Sequence, residues 1–305
     1  MTFDRRTLVI PNGSVFDEKT IVTEGDVIIG DRCLVQFGIK TDGRIFVGEH
    51  VVLDGDLEAT KDIRIDIFTR IRGNITSAEN VYLGEKVSVE GRLSLKGDLD
   101  VADSVDVKEG FEAKGWINIR SPIPVVIYIF IYLTQLLKMG HSEEIERILQ
   151  EMEENNGDTI PISEVFLFVP NNSMIGVQKS KIDGNISVGK QCKLLGNYEA
   201  KGKVFVDEKT VVHGSLRSTD EIFCGKHVDI KGTVESSEDV RIDEHSRIQG
   251  DLKGETIHLA KTVTIDGTMY AKHGASFITP YDFKAAEKVR RFEEDIELIE
   301  PVEEK

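Results

Sequence analysis

The seven histidines are the side chains in this sequence with the clearest capacity for acid–base chemistry. A general base in an acyl-transfer enzyme is usually a histidine placed beside a substrate cleft. The positions do not favour that role, because His213 and His227 stand where an equivalent segment of the chain has Asp54 and Phe68. We therefore expect all seven to be exposed residues rather than bases: His50, His141, His213, His227, His245, His258 and His273.

The three cysteines are the other candidates for nucleophilic or metal chemistry. Their odd, sparse count, with no Cys-x-x-Cys pair, argues against a disulfide framework or a zinc site and fits a reducing compartment. Cys33 and Cys192 occupy equivalent places in two similar segments, which predicts small buried residues. The sequence also has no glycine-rich phosphate loop, so we predict no catalytic, cofactor-binding or metal-binding residues and no enzyme activity.

The net charge of the sequence argues against some classes of binding partner. The 305 residues include 54 acidic and 38 basic side chains, for a formal net charge of −16. Such a surface repels nucleic acid and anionic lipid, so we expect no nucleic-acid partner. The sequence begins with a charged segment that no long apolar run follows, which is not typical of a signal peptide. We expect a cytoplasmic protein.

Glycines recur at a fixed spacing and mark a repeat. Gly55, Gly73 and Gly91 are evenly spaced, and the same interval separates four later glycines, Gly196, Gly214, Gly232 and Gly250. Between them, apolar residues alternate with polar ones over short runs, which is typical of short strands. Short strands at a constant period predict a β-solenoid, a mainly β fold with about 18 residues per coil. Glycine suits its corners, where φ is positive or backbone crowds backbone.

A larger duplication underlies the repeat. The segment LVIPNGSVF from Leu8 resembles LFVPNNSMI from Leu167, and Cys33 and Cys192 are separated along the chain by the same interval as these two segments. This predicts two tandem β-helices over residues 6–118 and 163–277. A connector over 119–162, consisting of an apolar segment and a short helix, lies between them, and 278–305 forms a C-terminal amphipathic helix with an acidic tail.

The connector opens with an apolar run over residues 123–137. A membrane-spanning helix needs about 20 apolar residues, so a simple crossing is not expected. Two interpretations remain: the run covers an open solenoid end or packs the halves together, or it contacts a membrane surface or a partner. The candidate residues for a membrane or end-surface contact are Ile123, Val125, Val126, Ile127, Ile129, Phe130, Ile131 and Leu133.

Two further features concern the ends of the solenoids. Trp116 lies where the first solenoid stops and is predicted to cover that end. Apolar residues at alternating spacings of four and three predict one face of the C-terminal helix, which packs on its own domain or on a partner chain. That candidate partner face consists of Ala285, Val289, Phe292, Ile296 and Ile299.

Coils such as EGRLSLKGDLDVADSVDVKEG and QGDLKGETIHLAKTVTIDG resemble those of the bactofilins. The resemblance implies a right-handed β-helix and a polymer-forming cytoskeletal protein that assembles end to end, without nucleotide, often at the cytoplasmic face of the membrane. Two features depart from the family's usual form, since the domain is duplicated and the flanking segments look ordered.

The function we predict is a non-enzymatic, self-associating scaffold, with further copies of itself, a membrane surface and a protein cargo as partners. Solenoid ends support this, because terminal coils expose unpaired strand edges unless they are capped. One alternative is an acyltransferase of the hexapeptide-repeat type, since the coil period is a multiple of six. The other is an adaptor with capped ends that does not polymerise.

Overall fold

The computed structural model describes residues 5–119 and 163–278, and every regular element among them is a β-strand. Strands pair in parallel with the equivalent strand one coil before or after, as Ile63 does with Ile45 and Val81. The mainly β solenoid expected from the repeat is therefore confirmed. The chain divides into two compact units, unit 1 with Met1–Arg5 and Phe16–Val177, and unit 2 with Arg6–Val15 and Gln178–Lys305.

Unit 1 has three faces, each a parallel ladder of one strand per coil. Its first face consists of β20 (Phe166–Val169), β4 (Asp26–Ile29), β7 (Ile45–Val47), β10 (Ile63–Ile65), β13 (Val81–Leu83), β16 (Leu99–Val101) and β19 (Ile117–Ile119). Its second face consists of β21 (Met174–Ile175), β5 (Leu34–Val35), β8 (Val52–Leu53), β11 (Arg70–Ile71), β14 (Ser88–Val89) and β17 (Asp106–Val107). Its third face consists of β3 (Thr20–Thr23), β6 (Gly38–Thr41), β9 (Leu57–Ala59), β12 (Ile75–Ser77), β15 (Leu93–Leu95) and β18 (Phe111–Ala113).

Unit 2 repeats the same three-faced plan. Its first face consists of β1 (Leu8–Ile10), β23 (Ile186–Val188), β26 (Val204–Val206), β29 (Ile222–Cys224), β32 (Val240–Ile242), β35 (Ile257–Ala260) and β38 (Ala275–Ile278). Its second face consists of β2 (Val15–Asp17), which joins through Val15, β24 (Lys193–Leu195), β27 (Val211–His213), β30 (Asp229–Ile230), β33 (Arg247–Ile248) and β36 (Thr264–Ile265). Its third face consists of β22 (Lys179–Ile182), β25 (Asn197–Ala200), β28 (Leu216–Ser218), β31 (Val234–Ser236), β34 (Leu252–Gly254) and β37 (Met269–Ala271).

The core of each unit is a set of columns in which the same inward position recurs from coil to coil. One such column in unit 1 contains Ile45, Ile63, Val81 and Leu99, all of them buried. Burial of each aliphatic side chain stabilises the fold by roughly 1.5–3 kcal/mol relative to exposure. Because the columns are apolar and the strands alternate, the charged residues are left on the outside, with Asp26 and Asp243 as buried exceptions among the described residues.

The corners show why glycine recurs at the coil period. A Cβ added to Gly73 would lie 2.4 Å from the carbonyl carbon of Gly55, and one added to Gly55 would lie 2.2 Å from the amide nitrogen of Gly38. Neither Gly55 nor Gly73 has a positive φ. Backbone crowding, rather than a left-handed conformation, therefore excludes a side chain at these two corners.

Positive φ values belong to a different column, and its residues are mostly not glycine. The left-handed position after the first face carries Arg32, His50, Phe68, Lys86 and Ser104 in unit 1, with φ between 55° and 57°. The equivalent column of unit 2 includes Gln191, Lys209, His227 and His245. Glycine occupies this column at Gly13, but the other positions named here carry side chains, so the expectation that glycine supplies positive φ at the corners holds only in part.

Asparagine and aspartate side chains join successive coils at another corner. The Asp62 carboxylate accepts a hydrogen bond from the backbone N–H of Asn80, whose side-chain oxygen in turn accepts one from the N–H of Asp98. The Asp98 carboxylate continues the ladder to the N–H of Trp116. These bonds satisfy backbone donors where the chain turns between faces and the sheet ladder is interrupted.

The two units do not follow the boundaries of the sequence duplication. Residues 6–15 open the first half of the sequence but belong to unit 2, whereas residues 163–177 open the second half but belong to unit 1. In unit 1, β20 pairs with β4 and β21 pairs with β5. In unit 2, β1 pairs with β23, and Val15 pairs with Lys193. Each unit thus completes its first coil with a segment from the other half.

Candidate self-association surfaces

The last coil of unit 1 exposes apolar side chains that would be buried in any earlier coil. It contains β17, β18 and β19, each the final strand of its face. Leu57, Ile75 and Leu93 of one inward column are each 0% exposed, whereas Phe111 in the same column is 51% exposed. Ile117 and Ile119 of β19 are also exposed. The coil therefore presents an apolar cross-section to which no other described strand adds, and we call it the unit 1 end.

Trp116 does not cover the unit 1 end. Its backbone N–H continues the ladder of Asp98, but its side chain is 85% exposed. The prediction that Trp116 forms a lid over the core is wrong. The indole adds to the exposed apolar surface of this coil instead.

The last coil of unit 2 has the same character. It contains β36, β37 and β38, again the final strands of their faces. Phe277 is 70% exposed although Leu259, one coil earlier in the same column, is buried. Met269 and Tyr270 of β37 are exposed as well. We call this surface the unit 2 end.

An exposed charge pair lies near each of these ends. Arg92 contacts Glu112 at 2.9 Å near the unit 1 end, and Lys272 contacts Glu255 at 2.8 Å near the unit 2 end. The hydrogen bond from Lys272 lowers the pKa of Glu255 below its usual value. Such exposed pairs add little stability. The attraction available to a partner at either end is therefore apolar contact together with strand-edge hydrogen bonds.

A terminal strand edge can accept another strand. Among residues 5–119 and 163–278, no strand pairs with the outer edges of β17, β18 and β19, or with those of β36, β37 and β38. Unpaired N–H and C=O groups on such edges are a template for strand addition. Each end thus combines three short strand edges with the apolar ends of the core columns.

The three cysteines lie in the core of the described part of the chain. Cys33 and Cys192 are buried and free, which confirms their expected role as small core residues, and Cys224 is buried and free as well. Burial raises the pKa of Cys33 to about 11 and that of Cys224 to about 12, so neither thiol is a ready nucleophile at neutral pH. No group of three histidine, cysteine or acidic residues suited to a metal occurs among the described residues.

A shallow groove of about 690 Å³ runs along the outer side of the first face of unit 1. Its lining includes Phe46 and Tyr82, and the Arg64 guanidinium lies 4.5 Å from the centre of the Tyr82 ring. Asp66 and Asp100 line it too, but no histidine or cysteine does. The groove therefore lacks the side chains of an acyl-transfer site.

A comparison with protein families finds a match for part of these coils. Residues 173–270 match the bactofilin family model. That family is described as polymer-forming and cytoskeletal. Searches of the curated proteins and of the solved structures find no match.

The bactofilin match covers about a third of the chain and nearly all of the coils of unit 2 up to the unit 2 end. It extends from Ser173 to Tyr270, so it includes β36 and most of β37 of the unit 2 end, but neither β38 nor residues 5–119. The bactofilin likeness of residues 6–118 remains a prediction from the constant offset between matching positions of the two halves.

The site residues predicted from sequence lie outside the described residues. This applies to all of the candidate connector contacts between Ile123 and Leu133 and to the candidate helix face from Ala285 to Ile299. Within the described residues, no helix is long and apolar enough to cross a membrane.

Sequence reasoning did not single out the side chains at the two ends. A signal for them was nonetheless present, because Phe111, Ile117, Met269 and Phe277 are the last members of inward columns before the repeat stops. In a solenoid, the final member of an inward column lacks the next coil above it and becomes surface.

Proposed function

We propose that this protein is a non-enzymatic, self-associating cytoskeletal scaffold that assembles through the unit 1 end and the unit 2 end. The exposure of inward apolar positions in both last coils is the observation that supports this best. The bactofilin match agrees with it, since that family is polymer-forming. The partner at each end is a further copy of this chain.

The physical basis is continuation of the ladder. A second terminal coil placed about 4.8 Å beyond the first would pair the strand edges and bury the exposed column residues. Phe111 and Phe277 would then lose most of their contact with water, which provides apolar stabilisation without any nucleotide. Because all contacts are non-covalent, assembly should depend on protein concentration.

Charge substitutions at the two ends test this function. We expect filaments or large oligomers of the full-length protein in electron microscopy and sedimentation velocity. Lysine in place of Phe111 and Ile119, or of Met269 and Phe277, should reduce them to small species, because each lysine would have to be buried without a partner. Val22→Lys is the matched control, since the Val22 side chain is exposed to a similar degree but belongs to β3, which is not part of the unit 1 end or the unit 2 end.

Other outcomes of the same experiment separate the alternatives. A discrete small species of the unaltered protein would contradict the scaffold and favour an adaptor with capped ends. A trimer that binds acyl-coenzyme A would favour the acyltransferase.

We propose in addition that the protein is cytoplasmic and contacts the membrane surface through its apolar connector. The support is the sequence of residues 123–133, in which apolar side chains predominate. Replacement of Ile127, Ile129 and Ile131 by lysine should abolish flotation of the protein with liposomes. Unchanged flotation would remove this role from the connector.

A further inference from the structure

The opening segments of the two halves are equivalent, and each is part of the core of the unit that contains most of the other half. Strand β1 pairs in register with β23, Leu8 opposite Ile186, and β20 pairs with β4, Leu167 opposite Val27. Leu8 and Leu167 are both buried. The donated strands are therefore structural parts of each ladder rather than surface additions.

The side-chain contacts of the two segments are also equivalent. The Cys33 thiol donates to the Pro170 carbonyl over 3.1 Å, and the Cys192 thiol donates to the Pro11 carbonyl over the same distance. Cys33 and Cys192 occupy matching positions of the two halves, and so do Pro11 and Pro170. The same thiol–carbonyl contact thus fixes the donated segment in both units.

An asparagine makes a second matching contact after each proline. The side-chain oxygen of Asn171 accepts a hydrogen bond from the backbone N–H of Asp31 at 3.0 Å, and that of Asn12 accepts one from Lys190 at 2.8 Å. In unit 1, the Asp26 carboxylate also accepts a hydrogen bond from the backbone N–H of Ser163 at 3.0 Å.

We propose that the open first coil of each unit is a strand-binding site whose ligand is the opening segment of the other half, so that the two halves bind each other without a covalent link. The ligand is an extended peptide with apolar residues at alternate positions, followed by proline and asparagine. Its strand adds to the sheet edge, the apolar side chains enter the core columns, and the Pro-Asn pair sets the register.

This binding is distinct from assembly through the unit 1 and unit 2 ends, because it involves the first coils and a partner within the same chain. It has a direct consequence for the connector. Residues 120–162 separate the donor segment 163–177 from the rest of unit 1 along the chain, and the pairing of β20 with β4 and of β21 with β5 joins that segment to unit 1.

Cleavage of the connector tests the proposal in the full-length protein. A protease site inserted after Gly140 would produce fragments 1–140 and 141–305. The lysine substitutions at Phe111, Ile119, Met269 and Phe277 are included so that end-to-end assembly does not hold the fragments together. We expect the cleaved fragments to co-elute at the mass of one intact chain in native gel filtration and to separate only in denaturant. Separate elution under native conditions would overturn the proposal.

A disulfide test identifies which half each segment pairs with. Val9→Cys combined with Ser187→Cys should link the two cleaved fragments on a non-reducing denaturing gel, because Val9 lies opposite Ser187 on adjacent strands. The matched control is Val9→Cys with Ile28→Cys, since Ile28 is the counterpart of Ser187 in the first half. We expect no disulfide from that pair. A bond between positions 9 and 28, or absence of the link between 9 and 187, would contradict the exchange.

Discussion

At the scale of single residues, the glycines at the coil corners and the residues with positive φ occupy different positions for different physical reasons. Gly73 is required by the backbone of Gly55 close by, whereas Lys209 adopts φ of 58° at a corner with a side chain. A left-handed conformation costs a non-glycine residue roughly 1–2 kcal/mol. The repeat therefore contains one position where glycine is needed and another where most residues carry a side chain although glycine would be favourable.

Two substitutions with opposite effects should show this. Gly73→Ala should lower the free energy of unfolding by at least about 2 kcal/mol, because the new methyl group meets backbone atoms that cannot move aside. Lys209→Gly should leave it unchanged or raise it by up to about 1 kcal/mol. Urea unfolding followed by circular dichroism measures both. A neutral Gly73→Ala would refute the crowding argument.

Asp26 is a buried carboxylate whose ionisation should stabilise unit 1. Burial alone would raise its pKa, but hydrogen bonds from Arg44 and from the backbone of Ser163 lower that pKa below the usual value. A carboxyl group with a lowered pKa in the folded state contributes stability above its unfolded pKa of about 4, and that contribution is lost as the pH falls through the folded value.

The corresponding prediction compares Asp26→Asn with the unaltered protein at two pH values. At pH 7 the substitution should lower the free energy of unfolding by about 2–3 kcal/mol, because Arg44 loses its charged partner. Near pH 3 the difference should become smaller. Glu58→Gln, which breaks only the exposed pair with Lys40, is the control and should have little effect at either pH. A difference for Asp26→Asn that does not change with pH would contradict this assignment.

At the scale of elements, the position of a strand along the ladder decides what its inward residue contributes. Ile63 and Ile117 belong to the same column of the first face, but Ile63 is buried and Ile117 is exposed in the last coil. A buried isoleucine replaced by alanine loses apolar contacts and leaves a cavity.

Ile63→Ala should therefore lower the free energy of unfolding of unassembled protein by about 2–4 kcal/mol, and Ile117→Ala by less than about 1 kcal/mol. The two substitutions should also differ in their effect on assembly. Ile117→Ala should raise the protein concentration needed for large species to form, whereas Ile63→Ala should affect assembly only through folding. An equal decrease in the free energy of unfolding for the two substitutions in dilute protein would contradict an exposed unit 1 end.

The strand pattern was readable from sequence because each coil repeats the same short alternation. Gly55, Gly73 and Gly91 mark the period, and the inward valines, isoleucines and leucines follow from it. The burial of Asp26 was not predictable, because aspartate at that position looks like any outward charge until Arg44 and Ser163 are seen to bond it. The connector and C-terminal residues predicted as contact sites remain predictions.

At the scale of the whole molecule, the sequence could not show which opening segment completes the first coil of each unit, and the reason is physical. The segments from Leu8 and from Leu167 satisfy the same column positions and carry the same Pro-Asn pair, so either fits either unit. Periodicity predicts what a coil needs, but it does not predict which of two equivalent segments supplies it.

Connector length should decide whether the exchange occurs within one chain. On the first face of unit 1, β19 and β20 are six strand spacings apart, about 29 Å. A connector cut to about four residues reaches at most about 18 Å, so Ser163 could not return to its own unit 1. In protein that carries the lysine substitutions at both ends, we expect that shortened chain to form dimers or larger rings by exchange between copies.

The control for that experiment replaces the connector with about 20 glycine and serine residues. That linker reaches far enough, so the protein should remain a single chain in sedimentation velocity. A monomeric protein with the shortened connector would argue against the exchange.

The pairing of β1 with β23 also constrains how the protein is made. Leu8 is synthesised before its partner Ile186, which is added roughly 10–35 s later at common rates of translation. During that interval Leu8, Val9 and Ile10 are a short apolar segment of the nascent chain whose partner strand β23 has not yet been synthesised. The residues of strands β4 to β19 are all synthesised by then, while β1 still awaits β23 of the second half. A chaperone that shields apolar nascent segments would find a target at this strand.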